Sequence, residues 1–528
     1  MTEERKSGRL ARLNERVPLL VVAVWAWLYL PRPFQLGFYH DDWWAYVEAT
    51  VGSAPFSWAR FKVIAGNSGY APRPLGGLLS FVFNSICGTS AFRYHVCVAL
   101  LVLLAALSMR AWFFGLLSRC EEPARTWAAD LGVAFWLSVP WSFGATAWPI
   151  SAMFQVPAQI FFTEAFRRLL PPREVDRRGL VVFGVGLTAS YLTYEAFYFQ
   201  FFLVAVFYLV FERQIFKNRA GMVWFAGVGV GTQILVLGFN RYVASVNAEF
   251  SKKFDPQWLG LFRQNVMGLP GQLLARMGRD AQVWTDLVLV FGGLALLALA
   301  IGLARRAMRG AAGFAASLVV VGAGALVLML ATYSLARYGV ITAGLESRTL
   351  FPVCWALTLV FLGMVLLLLQ LPGKATALVT LAVALGIIGY QAIAQKHQVR
   401  EMSYVWNQEL AVLARAPVSE LKALPKDSRV LFIGPSYFDD IVIFGAYWDI
   451  TGAVFSLPPL NEGRQAYKGL TMMDSATTLY EWTWDGKNLV QNLPGYWKET
   501  RPATHLFVWK FEEDQFFEAQ AGFRWPAK

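Results

Sequence analysis

Runs of roughly 20 predominantly apolar residues recur through the first three quarters of this chain, and they limit its fold more than any other feature. A helix of that length, rising 1.5 Å per residue, matches the roughly 30 Å hydrocarbon core of a bilayer. Lipid offers the backbone no hydrogen-bond partner, so only helices and closed barrels can span it. Barrel strands alternate in polarity over about 10 residues, whereas these runs are continuous. An α-helical polytopic membrane protein follows. Eleven candidate spans lie near residues 17–37, 92–117, 126–147, 152–168, 179–193, 195–212, 220–240, 283–304, 311–336, 349–371 and 374–394. The composition agrees: 56% of residues are hydrophobic and 16% charged, where a soluble chain carries about 25% charged residues.

Charge sets the sidedness. Of 47 basic and 35 acidic residues, 14 and 16 lie from residue 395 onward, leaving 33 and 19 in the membrane part. That excess reads as loop charge that fixes orientation, not as a nucleic-acid surface. The segment 74–87 (PLGGLLSFVFNSIC) is apolar but, at about 21 Å as a helix, too short to cross. If it lies in the interface, the basic clusters fall on one side: Arg5 to Arg16, Arg119 and Arg125, Arg167 to Arg178, Arg213 to Arg219, Arg305 to Arg309, and Lys374. The positive-inside rule then makes the N-terminus cytoplasmic and span one an uncleaved anchor in a bacterial cytoplasmic (inner) membrane. The outer side carries loop 38–91, the turns near 148–151 and 191–195, loops 241–282 and 337–348, and the tail. Loop 241–282 is also basic. It reads as amphipathic surface helices that meet lipid phosphates.

Two domains are expected: a transmembrane domain over 1–394 and an exported α/β or α+β domain over 395–528. SRVLFIG and THLFVWKF read as strands, LPPLNEG and WDGKN as turns, and 395–425 as a connecting helical stretch. The four cysteines, Cys87, Cys97, Cys120 and Cys354, show no metal-ligand spacing and read as packing residues.

The outer side gathers the polar residues that could do chemistry. HDDWW at 40–44 places Asp41 and Asp42 between His40 and two tryptophans, at the exit of span one. One aspartate could cap the helix that WWAYVEAT suggests; a second is available as a general base. Arg73, between two prolines, is either a phosphate clamp or an anchor to lipid head groups. Glu195 falls at the junction of two spans, where it could pair with an arginine, orient a sugar hydroxyl or cap a helix. Arg337, Glu346 and Arg348 lie at outer helix ends, the last two spaced to form an ion pair. No Walker lysine motif, phosphate-binding glycine loop or HExxH occurs, and the four histidines are scattered. ATP-driven cytoplasmic chemistry therefore has no support, and neither does a cofactor. A divalent metal is optional, with no sequence site.

HDDWW, the run PRPLGGLLSFVFNSICGTSAFR at 72–93, and a multi-span core with an exported tail together resemble the GT-C superfamily. These are membrane glycosyltransferases that use polyprenyl-phosphate sugars, among them protein O-mannosyltransferases, lipid A aminoarabinose transferases and phage-type O-antigen glucosyltransferases. The resemblance implies an inverting hexosyl- or pentosyltransferase with Asp41 or Asp42 as base. His40, Trp44, Arg73, Glu195, Arg337, Glu346 and Arg348 would contact substrate. It implies a polyprenyl-phosphate-linked sugar as donor, a glycan, lipid or protein as acceptor, and membrane lipid but no nucleic acid as partners. Two other readings stay open. An O-antigen polymerase or ligase would rely on arginine-rich outer loops. A transporter or flippase would favour charges or broken helices at mid-membrane.

Overall fold

The structure is a computed structural model that describes residues 18–39, 42–43, 55–65, 70–118, 120, 124–169, 176–197, 200–201, 204–205, 219–246, 311–335, 345–425, 427–434, 437–438, 441–442, 444, 447–457, 460, 472–476, 481–493 and 497–525. The expected span 283–304 and most of 195–212 lie outside these residues. Among them, four helices are long and apolar enough to cross a membrane: Ala91–Leu116, Arg219–Val243, Ser347–Leu368 and Lys374–Ala414.

The chain enters through α1 (Leu19–Tyr29), which Pro31 and Pro33 convert into one 3-10 turn, Arg32–Phe34. Helix α2 (Trp58–Ala65) and helix α3 (Pro74–Cys87) follow in the first loop. The interfacial segment expected at 74–87 is thus helical between those same bounds: Pro74 opens it at the first helical position, and Gly88, at φ +59°, closes it. Helix α4 (Ala91–Leu116) returns across the bundle, with Ser90 accepting from the Arg93 amide at 3.4 Å as its cap.

The span expected over 126–147 is not one helix. Helix α5 (Ala124–Ser138) stops because Pro140 forces Val139 out of helical conformation (φ −56°, ψ 119°). A 3-10 turn, Pro140–Ser142, leads into the short α6 (Phe143–Ala147). Gln395 repairs the break from 256 residues away: its Nε2 donates to the Leu137 and Val139 carbonyls at 2.9 and 2.8 Å. Helices α7 (Pro149–Arg167), α8 (Arg177–Thr193), α9 (Arg219–Val246) and α10 (Ala311–Leu335) continue the bundle. After a 3-10 segment, Leu345–Val353, comes α11 (Cys354–Leu368). Helices α10 and α11 pack through small residues: a side chain at Gly322 would meet the Ala356 carbonyl and Val360, and one at Gly363 the Ala315 carbonyl and Val319.

Helix α12 (Lys374–Ala414) runs 41 residues without a break, about 60 Å. Its apolar half, 374–394, matches one membrane thickness, and 395–414 extend beyond it. The boundary expected at 394/395 therefore falls inside a continuous helix.

Helix α13 (Val418–Lys422) leads to the strands. In one sheet β1 (Ser428–Ile433) lies between parallel β4 (Met472–Ser475) and β8 (His505–Lys510), and β9 (Gln515–Glu518) pairs antiparallel with β8. A second, antiparallel sheet orders β10 (Arg524–Trp525), β5 (Glu481–Trp484), β6 (Asn488–Leu493) and β7 (Trp497–Pro502). The hairpin of β2 (Tyr437–Phe438) and β3 (Ile441–Val442) and helix α14 (Tyr447–Phe455) lie between β1 and β4 in sequence. The period-2 geometry of β1 divides two cores. Leu431 faces Trp482, Leu489 and Val508. Val430 and Phe432 join Ile450, Met473 and Trp509, and this core continues into Phe38, Trp43, Tyr94 and Trp148 of the membrane part. The tail sheet is therefore packed on the exit of the first span.

Candidate active site

The exit of span one is held from every side. His95 of α4 binds the Gly37 carbonyl through Nε2 at 2.9 Å. The Tyr39 hydroxyl donates to the Met402 carbonyl of α12 at 2.9 Å. Only glycine fits at position 37, because a Cβ there would occupy the Trp406 ring. Trp43 stacks on Trp406 with ring centroids 5.7 Å apart, and its Nε1–H donates to Glu409 Oε2 at 3.0 Å. Gly452 of α14 lies against the Trp43 backbone.

Asp42 is 1% exposed. It caps α7, a helix remote in sequence; the helix expected over WWAYVEAT lies, beyond Trp43, outside the described residues. Its Oδ1 accepts the Ile150 N–H at 2.8 Å and its Oδ2 the Tyr39 N–H at 3.1 Å. Helix α7 has no cap of its own: Trp148 stands at its N-cap, and Pro149 at N1 has no N–H. Ile150 supplies the next donor, and an aspartate 108 residues away satisfies it, with the helix dipole in its favour. Asp42 thus fixes the acidic loop to the N-terminal end of α7.

Two arginines reach the same end. Arg348, from the 3-10 segment before α11, stacks over the Trp148 indole at 3.9 Å. Arg73, at the N-cap of α3, lies 4.9 Å over the Tyr194 ring. Tyr194 and Ile150 pack with Tyr70 and Phe154, whose rings are 5.6 Å apart. Both guanidiniums are half-buried. The N–H donors of a guanidinium lie in its plane, a geometry suited to two phosphate oxygens. Residues 73 and 348 are far apart in sequence; the first two turns of α7 and Tyr194 bring them to the acidic loop.

His40, Asp41, Trp44 and Arg337 lie outside the described residues. Glu195 opens the 3-10 turn Glu195–Phe197, one residue after Tyr194, and Glu346 lies in the 3-10 segment that carries Arg348. Among the described residues no three His, Cys, Asp or Glu side chains are grouped to hold a metal ion.

Several residues escaped the sequence reading. Glu409 is fully buried, and its Oε1 has no hydrogen-bond partner. It lies on the C-terminal half of α12, beyond the apolar 374–394 stretch. Burial holds its carboxyl well above the usual range; the Trp43 hydrogen bond works against that shift, and the nearby Asp449 and Asp42 add to it. The sequence signal was a Glu on the buried stripe Met402, Val405, Glu409, Val412. Arg32 is also buried, binding the Leu28 carbonyl, Thr146 Oγ1 and Gln395 Oε1 at 3.1, 2.7 and 2.7 Å. A lone arginine between prolines gave no hint of that role.

No protein-family model matches this chain, and no curated protein matches it. Among solved structures it is similar to ArnT from Cupriavidus metallidurans bound to undecaprenyl phosphate. The identity is 13% and the TM-score 0.44, over 84% of this chain and 85% of that one.

Proposed function

We propose that this chain is a membrane glycosyltransferase that moves a sugar from a polyprenyl-phosphate carrier to an acceptor hydroxyl on the outer face of the cytoplasmic membrane. The observation that carries the reading is the convergence, at the N-terminal end of α7, of Arg73, Arg348 and the segment that bears the two adjacent aspartates. The acceptor is an envelope glycan, a lipid or an exported protein.

The chemistry needs two features, and the residues divide accordingly. Charge accumulates on the leaving phosphate as the glycosidic bond breaks, and guanidiniums set in advance stabilise it without reorganising. Arg73 and Arg348 take that part. The acceptor hydroxyl must lose a proton as it attacks the anomeric carbon in line, which inverts the configuration. Asp42 has both carboxylate oxygens on backbone amides, so we assign it to positioning and assign proton removal to Asp41. His40, Trp44, Glu195, Arg337 and Glu346 are the remaining candidates for contact with the sugar or carrier.

Turnover of labelled polyprenyl-phosphate sugars by membranes containing the wild type, Asp41→Asn or Asp42→Asn, at matched expression, tests this. Asp41→Asn is expected to abolish turnover. Full turnover by both variants overturns the role of the acidic pair.

A further inference from the structure

The hairpin of α3 and α4 carries two thiols that the chemistry above does not use. Cys87 is the last residue of α3, and Cys97 lies in the second turn of α4. The turn at Gly88–Ser90 folds one helix back on the other, and the two Sγ atoms stand 3.6 Å apart. A separation of ten residues gave no sign of this within a single helix; the reversal creates it. Cys87 is fully buried, whereas Cys97 is half-buried, which makes Cys97 the more accessible of the two residues. A disulfide holds its sulfurs about 2.05 Å apart, so bonding requires an approach of about 1.5 Å. Small rotations about the two Cα–Cβ bonds can share that approach. Neither other thiol has a cysteine beside it: the Cys354 thiol points to the Leu350 carbonyl at 3.5 Å, and Cys120 follows the basic inner turn after α4.

We propose that Cys87 and Cys97 form a disulfide bond that locks α3 to α4. The proposal rests on the reading that places loop 38–91 outside the cytoplasmic membrane, where disulfides form and persist. The oxidant is a protein disulfide of the thiol-exchange class. The Cys97 thiolate attacks one sulfur of that disulfide and releases the first carrier thiolate. The Cys87 thiolate then attacks the Cys97 sulfur of the mixed disulfide and releases the second. This chain gives up two protons and two electrons, and the carrier disulfide becomes a dithiol. The bond would tie down the far end of the helix that presents Arg73: α3 begins beside that arginine and packs Gly76 against Phe154 and Gly77 against Tyr70.

The full chain is tested in its own membrane. Free thiols are blocked with N-ethylmaleimide while the protein is unfolded in sodium dodecyl sulfate, excess reagent is removed, the protein is reduced, and newly exposed thiols are counted by the gel shift from a polyethylene-glycol maleimide. Two additions are expected for the wild type and for a Cys120→Ala/Cys354→Ala variant, and none for Cys87→Ala or Cys97→Ala. A parallel Ser53→Cys variant, probed with an impermeant maleimide in intact spheroplasts, reads sidedness separately. No additions in the wild type while Ser53→Cys labels from outside overturns the disulfide itself. Labelling of Ser53→Cys only after lysis overturns the sidedness on which the proposal rests.

Discussion

Replacing Asp42 separates the two roles of the acidic pair. In Asp42→Ala the amides of Tyr39 and Ile150 lose their acceptors inside a closed site. An orphaned buried donor costs roughly 1–3 kcal/mol, and loss of a helix cap roughly 0.5–2 kcal/mol. Water can enter the space the carboxylate leaves, so the lower halves of these ranges apply, and the expected loss is about 1.5–3 kcal/mol. In Asp42→Asn one oxygen still serves one amide, but the NH2 group faces the other donor. The expected loss is about 1–2 kcal/mol. Asp41→Asn should leave stability unchanged and lower turnover by about 10²–10⁴, the usual worth of a general base.

The assay is residual monodisperse protein after heating in detergent, read beside turnover at a temperature well below the transition. Asp42→Ala should lower the apparent midpoint by several degrees and Asp42→Asn by about half as much. Asp41→Asn should not move it. The reasoning fails if Asp42→Asn keeps the wild-type midpoint and loses turnover while Asp41→Asn keeps full turnover. The base would then be Asp42, and its backbone bonds would be incidental.

Glu409→Gln should preserve the Trp43 hydrogen bond while removing a buried group that titrates. Burial raises the folded pKa of Glu409 above that of an exposed glutamate, so its stabilising contribution is complete below the unfolded pKa and is lost as pH rises through the folded one. The thermal midpoint of the wild type should therefore fall with rising pH more than that of Glu409→Gln, and equal pH profiles would refute the assignment. Arg73→Lys and Arg348→Lys keep the charge but lose the planar fork and the ring stacking. Each should cut kcat/KM for the lipid-linked donor about tenfold or more at unchanged expression, and unchanged kinetics in both would remove the phosphate clamp. Gly322→Val forces a branched side chain onto the Ala356 carbonyl and should destabilise the α10–α11 pair by about 1–3 kcal/mol, seen as a lower midpoint with turnover retained at low temperature.

Local signals gave the element boundaries, and tertiary contacts decided what the sequence left open. Pro74 and Gly88 bound α3 in sequence as they do in the structure. SRVLFIG holds β1, THLFVWKF holds β8, and the turn in WDGKN joins β5 to β6 with Gly486 at φ +96°. Pro140 within the run 126–147 was a readable stop, overridden by hydropathy. The length of α12 was less evident. Neither Pro nor charge interrupts 375–394, and the polar stretch after it continues the helix until Pro417 follows the end at Ala414. Asp42 shows the deeper limit. A cap is legible when donor and acceptor are three residues apart, but the partner of Asp42 is Ile150, and no local pattern names it. Glu409 and Trp43 pair across 366 residues for the same reason.

Those long-range contacts share a cause that bears on catalysis. An acidic loop at a membrane surface has few apolar neighbours of its own, so its geometry must be imposed by elements that are already rigid. Helix α12 meets that need because it is anchored in the apolar bundle at one end and carries Met402, Trp406 and Glu409 on one face beyond it. Helix α14 closes the opposite side through Gly452, and the core around Phe432 and Trp509 joins the sheet to the same aromatics. A proton acceptor must be held within about 0.5 Å of its working position to be effective. Under the proposed function, the residues beside Asp41 are held by the tail as well as by His95 and Ile150, so the tail would form part of the catalytic unit although it contributes no residue to the proposed chemistry.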